Sequence, residues 1–186
     1  MPIQIGTKPH NFDDPTELMS DCHRRVEMFL GTLSAVADFQ GRLLTGDERT
    51  SLDRALQYFR EAAPKHSADE EESLFPRLRA ISDPEVQSVL EDMARLEREH
   101  NFAAPLHAEI DRLGLLWLRD GKLTQEHAQQ LQSAVASLVA MYRAHIEFED
   151  MVLFPLASRM LSSSQKTEIA REMAGRRNLP DRARVV

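Results

Sequence analysis

The sequence predicts an all-α protein: an up-down-up-down four-helix bundle followed by a short C-terminal fifth helix. Three observations predict it. Apolar residues recur every three or four positions over long windows, no stretch of strand length alternates polar with apolar residues, and short breaks rich in capping residues, proline and glycine separate the windows. Long helices on short connections become antiparallel neighbours, which favours a bundle over globin-like packing. With 186 residues, 42% of them hydrophobic and 28% charged, the chain suits one domain with a sizeable core.

Asp14-Pro15-Thr16-Glu17 starts the first helix: Asp14 caps, Pro15 suits the first helical position and Glu17 stands third, as in a capping box. This helix is expected to reach about Leu43. Leu44-Thr45-Gly46-Asp47 reads as a turn, with Asp47 capping a second helix that runs to about Leu78 and kinks at Pro64. Ser82-Asp83-Pro84-Glu85 repeats the cap-and-proline signal. It opens a third helix to about Leu118, bent or loosened at Pro105 and Gly114 and closed by Asp120-Gly121-Lys122. Thr124 caps a fourth helix through Phe154, and Ser162-Ser163-Ser164 caps the short fifth, which ends near Gly175. The expected organisation is an N-terminal arm over 1–13, the bundle over 14–161, and a C-terminal helix and tail over 162–186, polar and loose from Arg176.

Composition narrows the function. Lys and Arg number 23 against 30 Asp and Glu, and the net charge of -7 repels phosphate backbones and anionic bilayers, so neither nucleic acid nor a membrane is expected as partner. No apolar run reaches spanning length, and Met1 to His10 has neither the basic cluster nor the apolar stretch of a secretory signal, which points to the cytoplasm. The single cysteine, Cys22, excludes an internal disulfide framework and an all-cysteine zinc site. Any metal would therefore be held by histidines and carboxylates.

The apolar stripes contain residues that packing alone would not select. On the fourth helix Leu131, Val135, Leu138 and Tyr142 are followed by His145 and Glu149; on the second, Leu52, Leu56, Phe59 and Ala63 are followed by His66 and Glu70. His23 sits in the first stripe between Met19 and Val26, and His100 in the third between Leu96 and Ala103, with His107 further on. An ionised carboxylate in an apolar interior is very costly unless it is paired or bound to a metal. One His-x-x-x-Glu alone would be an ordinary helix pair. Here the motif repeats: His66 to Pro76 matches His145 to Pro155 at an offset of 79 residues, each copy ending in Leu-Phe-Pro, and His23 and His100 lie 77 apart.

In an antiparallel hairpin, two residues share a depth when the turn falls midway between them. The midpoint of His23 and His66 lies between Leu44 and Thr45, that of His66 and His100 at Asp83, and that of His100 and His145 beside Gly121. All three are expected turns, so the four histidines should form one layer. Glu70 and Glu149 lie one helical turn away, roughly 6 Å along the axis. The candidate metal ligands are thus His23, His66, Glu70, His100, His145 and Glu149, with equivalent roles for the two glutamates. Two octahedral ions offer about twelve positions, of which four imidazoles, two bridging carboxylates and an oxide or hydroxide bridge fill about ten. The remainder would take water, O2, nitric oxide or peroxide. Imidazole and carboxylate ligands suit Fe, Mn or Zn alike.

This ordered set, with Leu-Phe-Pro after each pair, resembles the bacterial hemerythrin-like proteins, the HHE cation-binding domain family, over roughly residues 14 to 160. The resemblance implies two iron ions with an oxo or hydroxo bridge, and a small diatomic ligand or peroxide as partner. It also implies a role in sensing or in defence against oxidative and nitrosative stress. Repair of iron-sulfur centres or peroxide-consuming catalysis is the alternative within that chemistry, and a purely structural metal-binding interaction module is the alternative outside it. Oxygen-carrying members have a further histidine one turn after the third-helix histidine, where this chain has Ala104; His107 could replace it, but a role behind the ligands or a merely buried one is favoured. Tyr142 and Cys22 are read mainly as packing residues. Glu71, Glu72 and Asp150 are candidates for orienting imidazoles, His10 and His127 for the surface, and the fifth helix around Ile169 and Met173 for a protein partner or homo-oligomer, although docking on its own bundle is favoured.

Overall fold

A computed structural model describes residues 14–179; the N-terminal arm with His10, and the tail from 180, lie outside the described residues. Four helical rods run α1 (Pro15–Ala37); α2 (Gly46–Glu61), α3 (Ala63–Ala68), π1 (Asp69–Leu74) and α4 (Phe75–Arg79); α5 (Pro84–Gln87) and α6 (Leu90–Asp120); then α7 (Gln125–Phe148), π2 (Glu149–Leu153) and α8 (Phe154–Met160). A final helix, α9 (Ser163–Arg176), follows. α1 packs on α2 and α7, and α6 on the same two, which closes the ring expected of an up-down-up-down bundle. Among the described residues no helix is long and apolar enough to cross a membrane.

The caps explain most boundaries. Asp14 Oδ1 accepts from Thr16 N at 3.0 Å, Thr124 Oγ1 from His127 N at 3.2 Å, and Asp83 Oδ1 from Glu85 N at 2.8 Å. Four expectations change. The first helix stops at Ala37, six residues before Leu43, because Gln40 and Gly41 adopt positive φ (52° and 74°). Gly41 lies against the α6–α7 connection, where a Cβ would stand 2.9 Å from Leu123 Cβ. The second helix is capped by Thr45 rather than Asp47: Thr45 Oγ1 accepts from Glu48 N, while the Glu48 carboxylate accepts from Thr45 N at 2.8 Å. The third rod steps at Ser88–Val89 and then runs unbroken through Pro105 and Gly114. Gly114 serves close packing, since an added Cβ would lie 2.6 Å from a Leu56 methyl. The fourth rod continues past Phe154 to Met160.

The interior divides into two apolar cores. One, built on Leu30, Leu33, Leu52, Leu56, Leu113, Trp117 and Leu138, fills the end of the bundle beyond His23; the other, built on Met19, Leu74, Phe75, Met93, Leu96 and Leu153, fills the opposite end. The histidine-carboxylate layer lies between them. Ile169 and Met173 of α9 are fully buried in the second core, so the fifth helix docks on its own bundle. Its end is not loose: Arg176 and Arg177, expected at the start of a free tail, are bound by Asp69.

Candidate metal centre

All six candidate ligands meet in the layer between the cores. Glu70 and Glu149 have no exposed surface, and His23, His66 and His145 are buried. Two quartets result: His23, His66, Glu70 and Glu149 form one, and Glu70, His100, His145 and Glu149 the other. Within each, one ligand atom per residue lies within 4.8 Å of the rest. Both glutamates belong to both quartets.

The glutamates reach the histidines differently. Glu70 Oε1 lies 3.1 Å from His66 Nε2 and 3.9 Å from His23 Nε2, whereas its Oε2 lies 3.4 Å from His100 Nε2. Oε1 thus faces His23 and His66, and Oε2 faces His100. Glu149 instead places one oxygen, Oε2, 3.1 Å from His23 Nε2 and 3.2 Å from His145 Nε2.

The backbone presents both glutamates in the same unusual way. Each occupies a π turn in which the Phe five residues on donates its N–H to the glutamate carbonyl: Phe75 to Glu70 and Phe154 to Glu149. The proline that follows, Pro76 or Pro155, lacks an N–H, and in a regular helix its ring would press on the carbonyl four residues back. The widened turn relieves that crowding. Such turns are frequent at functional sites. The Leu-Phe-Pro of each repeat is their signal in the sequence.

Outer carboxylates orient three imidazoles. Asp150 Oδ1 meets His23 Nδ1 at 2.9 Å and accepts from Ser20 Oγ at 2.7 Å; Glu71 Oε1 meets His100 Nδ1 at 2.7 Å; Glu99 Oε2 meets His145 Nδ1 at 2.8 Å. With a carboxylate holding the Nδ1 proton, each ring can turn an Nε2 lone pair inward once Nε2 is deprotonated, as metal ligation requires. The Nε2 atoms of His100 and His145 face each other at 3.1 Å. Glu71 and Asp150 thus take the orienting role open to them from sequence. Glu72 does not, pairing with Arg176 at 3.0 Å. Glu99 was not singled out from sequence for this role; its partner lies on another rod, and only the paired helices show the link.

Charge in the layer is unbalanced. Burial, then the charge of Glu149, pushes the Glu70 carboxyl well above the usual range. Burial opposes ionisation of Glu149 too, but the imidazoles of His145 and His23 outweigh it and hold its pKa well below the usual value. His23 is raised to about 9, since Asp150 and Glu149 overcome the burial that would lower it. Burial and then His23 hold His66 well below its ordinary value. Both Glu70 oxygens and both His66 nitrogens are buried without a hydrogen-bond partner. Orphaned acceptors around a shared centre are what a cation would satisfy, so the donor set fits metal.

Matching this geometry, the Hemerythrin HHE cation binding domain aligns with residues 14–172. The chain belongs to this hemerythrin family. It is also similar to an uncharacterized protein of Haemophilus influenzae, 28% identical over 182 residues that cover 97% of each chain. The hemerythrin domain and its His/Glu cluster together point to metal binding.

The other residues weighed from sequence lie outside both quartets. His107 Nε2 meets Tyr142 Oη at 3.0 Å and its ring stacks on Phe59 at 4.8 Å. Burial alone lowers its pKa to about 4. Tyr142 lies edge-on to His145 at 5.8 Å between ring centroids, and Cys22 Sγ accepts from Arg25 Nη2 at 3.1 Å.

Proposed function

We propose that this hemerythrin-family protein holds two metal ions, iron in the first place with Mn or Zn as the alternatives, in a cytoplasmic centre that binds O2, nitric oxide or peroxide. It would serve sensing or defence against oxidative and nitrosative stress. His23 and His66 would hold one ion, His100 and His145 the other, and Glu70 and Glu149 would serve both. A bridged iron pair would supply redox chemistry and open coordination positions for a small ligand. The chain's own residues do the rest. Asp150, Glu71 and Glu99 fix the tautomers and ring directions of three imidazoles, and the two apolar cores keep bulk water from the layer.

One observation carries this reading: both glutamates are common to two otherwise separate histidine pairs. Elemental analysis combined with an optical spectrum tests it. About two irons per chain are expected, with near-ultraviolet bands that change on adding azide or nitric oxide. A colourless protein holding one tight zinc after iron-replete expression would refute it. Tight metal with no spectral response to added ligands would favour a structural centre.

A further inference from the structure

The two π turns match in sequence position, yet their outer faces differ. At the 79-residue offset Asp69, Glu72 and Ser73 correspond to Phe148, Met151 and Val152. In the first half these polar residues are gripped by the end of α9. Arg176 Nη1 donates to Asp69 Oδ1 at 3.0 Å and to Ser73 Oγ at 2.9 Å, Arg176 Nη2 to Glu72 Oε2 at 3.0 Å, and Arg177 Nη2 to Asp69 Oδ2 at 2.6 Å. Arg77 completes the grip. It donates to the Ser73 carbonyl at 2.8 Å and pairs with Glu172 of α9 at 2.8 Å. Among the described residues the second turn has no such polar grip: Arg95 lies over the Phe148 ring at 5.1 Å, while Met151 is 74% and Val152 41% exposed.

Asp69 and Ser73 have no exposed surface, and a carboxylate is an expensive choice for such a position when the matching residue of the repeat is Phe148. Both oxygens of Asp69 are taken, one by each arginine. Asp69 directly precedes Glu70 and begins the turn that presents it. A π turn lacks the regular hydrogen-bond ladder of its neighbours, so an external grip has most effect there. The family match ends at 172, before both arginines.

We propose that Arg176 and Arg177 are positioning residues, which clamp π1 through Asp69 and so hold Glu70 where both histidine pairs share it. This rests on the metal-centre reading above. The asymmetry then has a purpose: Glu70 addresses the two pairs with separate oxygens, and its turn is the one that is clamped.

The test uses the full chain, with and without iron. In the double variant Arg176→Gln/Arg177→Gln, amide exchange at Leu74 and Phe75 should accelerate more than tenfold, while Leu153 and Phe154 stay unchanged. Iron release to a chelator should be about 10- to 100-fold faster, the range for lost outer contacts to a metal site. Glu70→Asp should be non-additive with the double variant in iron release, and Glu149→Asp additive. Met151→Ala, at a matching uncovered position, should change neither reading. Should the double variant fail to fold, Arg177→Lys serves, because it keeps the charge but loses the guanidinium fork; a smaller effect in the same direction is expected. Equal acceleration at both π turns, or wild-type exchange and iron release, would overturn the clamp. Wild-type protein that takes up no iron would instead overturn the metal centre, leaving the exchange measurement to judge the clamp.

Discussion

Replacing each shared glutamate with methionine, which keeps its length while removing its charge, should have opposite effects on the metal-free protein. Both Glu70 oxygens are buried without a hydrogen-bond partner. An orphaned buried acceptor costs about 1–3 kcal/mol, so removing two should stabilise the metal-free Glu70→Met protein by about 2–6 kcal/mol. At this chain length that corresponds to a Tm rise of roughly 4–24 °C. Glu149 differs in the charge around it. Its oxygens are likewise buried without a hydrogen-bond partner, but Oε2 lies 3.1 Å from His23 and 3.2 Å from His145, and together with Asp150 it raises the pKa of His23. Glu149→Met removes one of the two counter-charges of a buried His23 and should destabilise the metal-free protein, by less than the cost of a fully unpaired buried charge, about 3–5 kcal/mol, because Asp150 remains. Both variants should lose bound iron. Calorimetry of chelator-treated protein near neutral pH, with iron quantified in parallel, reads the whole contrast. A metal-free Glu70→Met protein less stable than the metal-free wild type would refute the reasoning, because Glu70 would then be serving the fold through some partner rather than awaiting a cation.

Three other outcomes are expected. His107→Phe should keep two irons per chain, since His107 contacts Tyr142 and Phe59 rather than either quartet. Its pKa of about 4 lies below the unfolded value of 6.5, so between those values the unfolded chain binds a proton that the folded chain does not, and stability falls as pH drops through that window. The variant should lose up to about 3 kcal/mol of that acid sensitivity, visible as a shallower acid limb in denaturant titrations at stepped pH. Asp150→Asn should weaken metal binding about 10- to 100-fold in chelator competition with helicity unchanged, because the carboxylate that fixes the His23 ring is gone. Gly114→Ala should cost about 1–3 kcal/mol in thermal unfolding while iron content stays the same, as Leu56 must move to admit the methyl.

What could be read from the chain and what could not divide by the range of the interaction. Asp14, Asp83, Thr124 and Ser162 act within one turn of themselves, and all four cap where sequence places them. The common depth of His23, His66, His100 and His145 followed from turn positions alone, because an antiparallel hairpin converts sequence distance directly into height. Depth says nothing about the carboxylates arriving from neighbouring rods, so Glu99 was legible only once α6 and α7 were seen side by side. Local competition also misled: Thr45 and Asp47 can both cap, and the Glu48 carboxylate decides for Thr45 by closing the box. The end of α1 depends on Gly41 fitting beneath Leu123, a tertiary contact with no local pattern. The π turns are the instructive middle case. Their companion, a proline six residues after each glutamate, is local and stands twice in the sequence, yet it shows first as a repeat and only then as a backbone device. The same repeat, compared position by position, exposes the asymmetry of Asp69 against Phe148 and with it the clamp. Symmetry identifies the candidate centre, and the departures from symmetry show which of its two shared carboxylates the rest of the chain is arranged to hold.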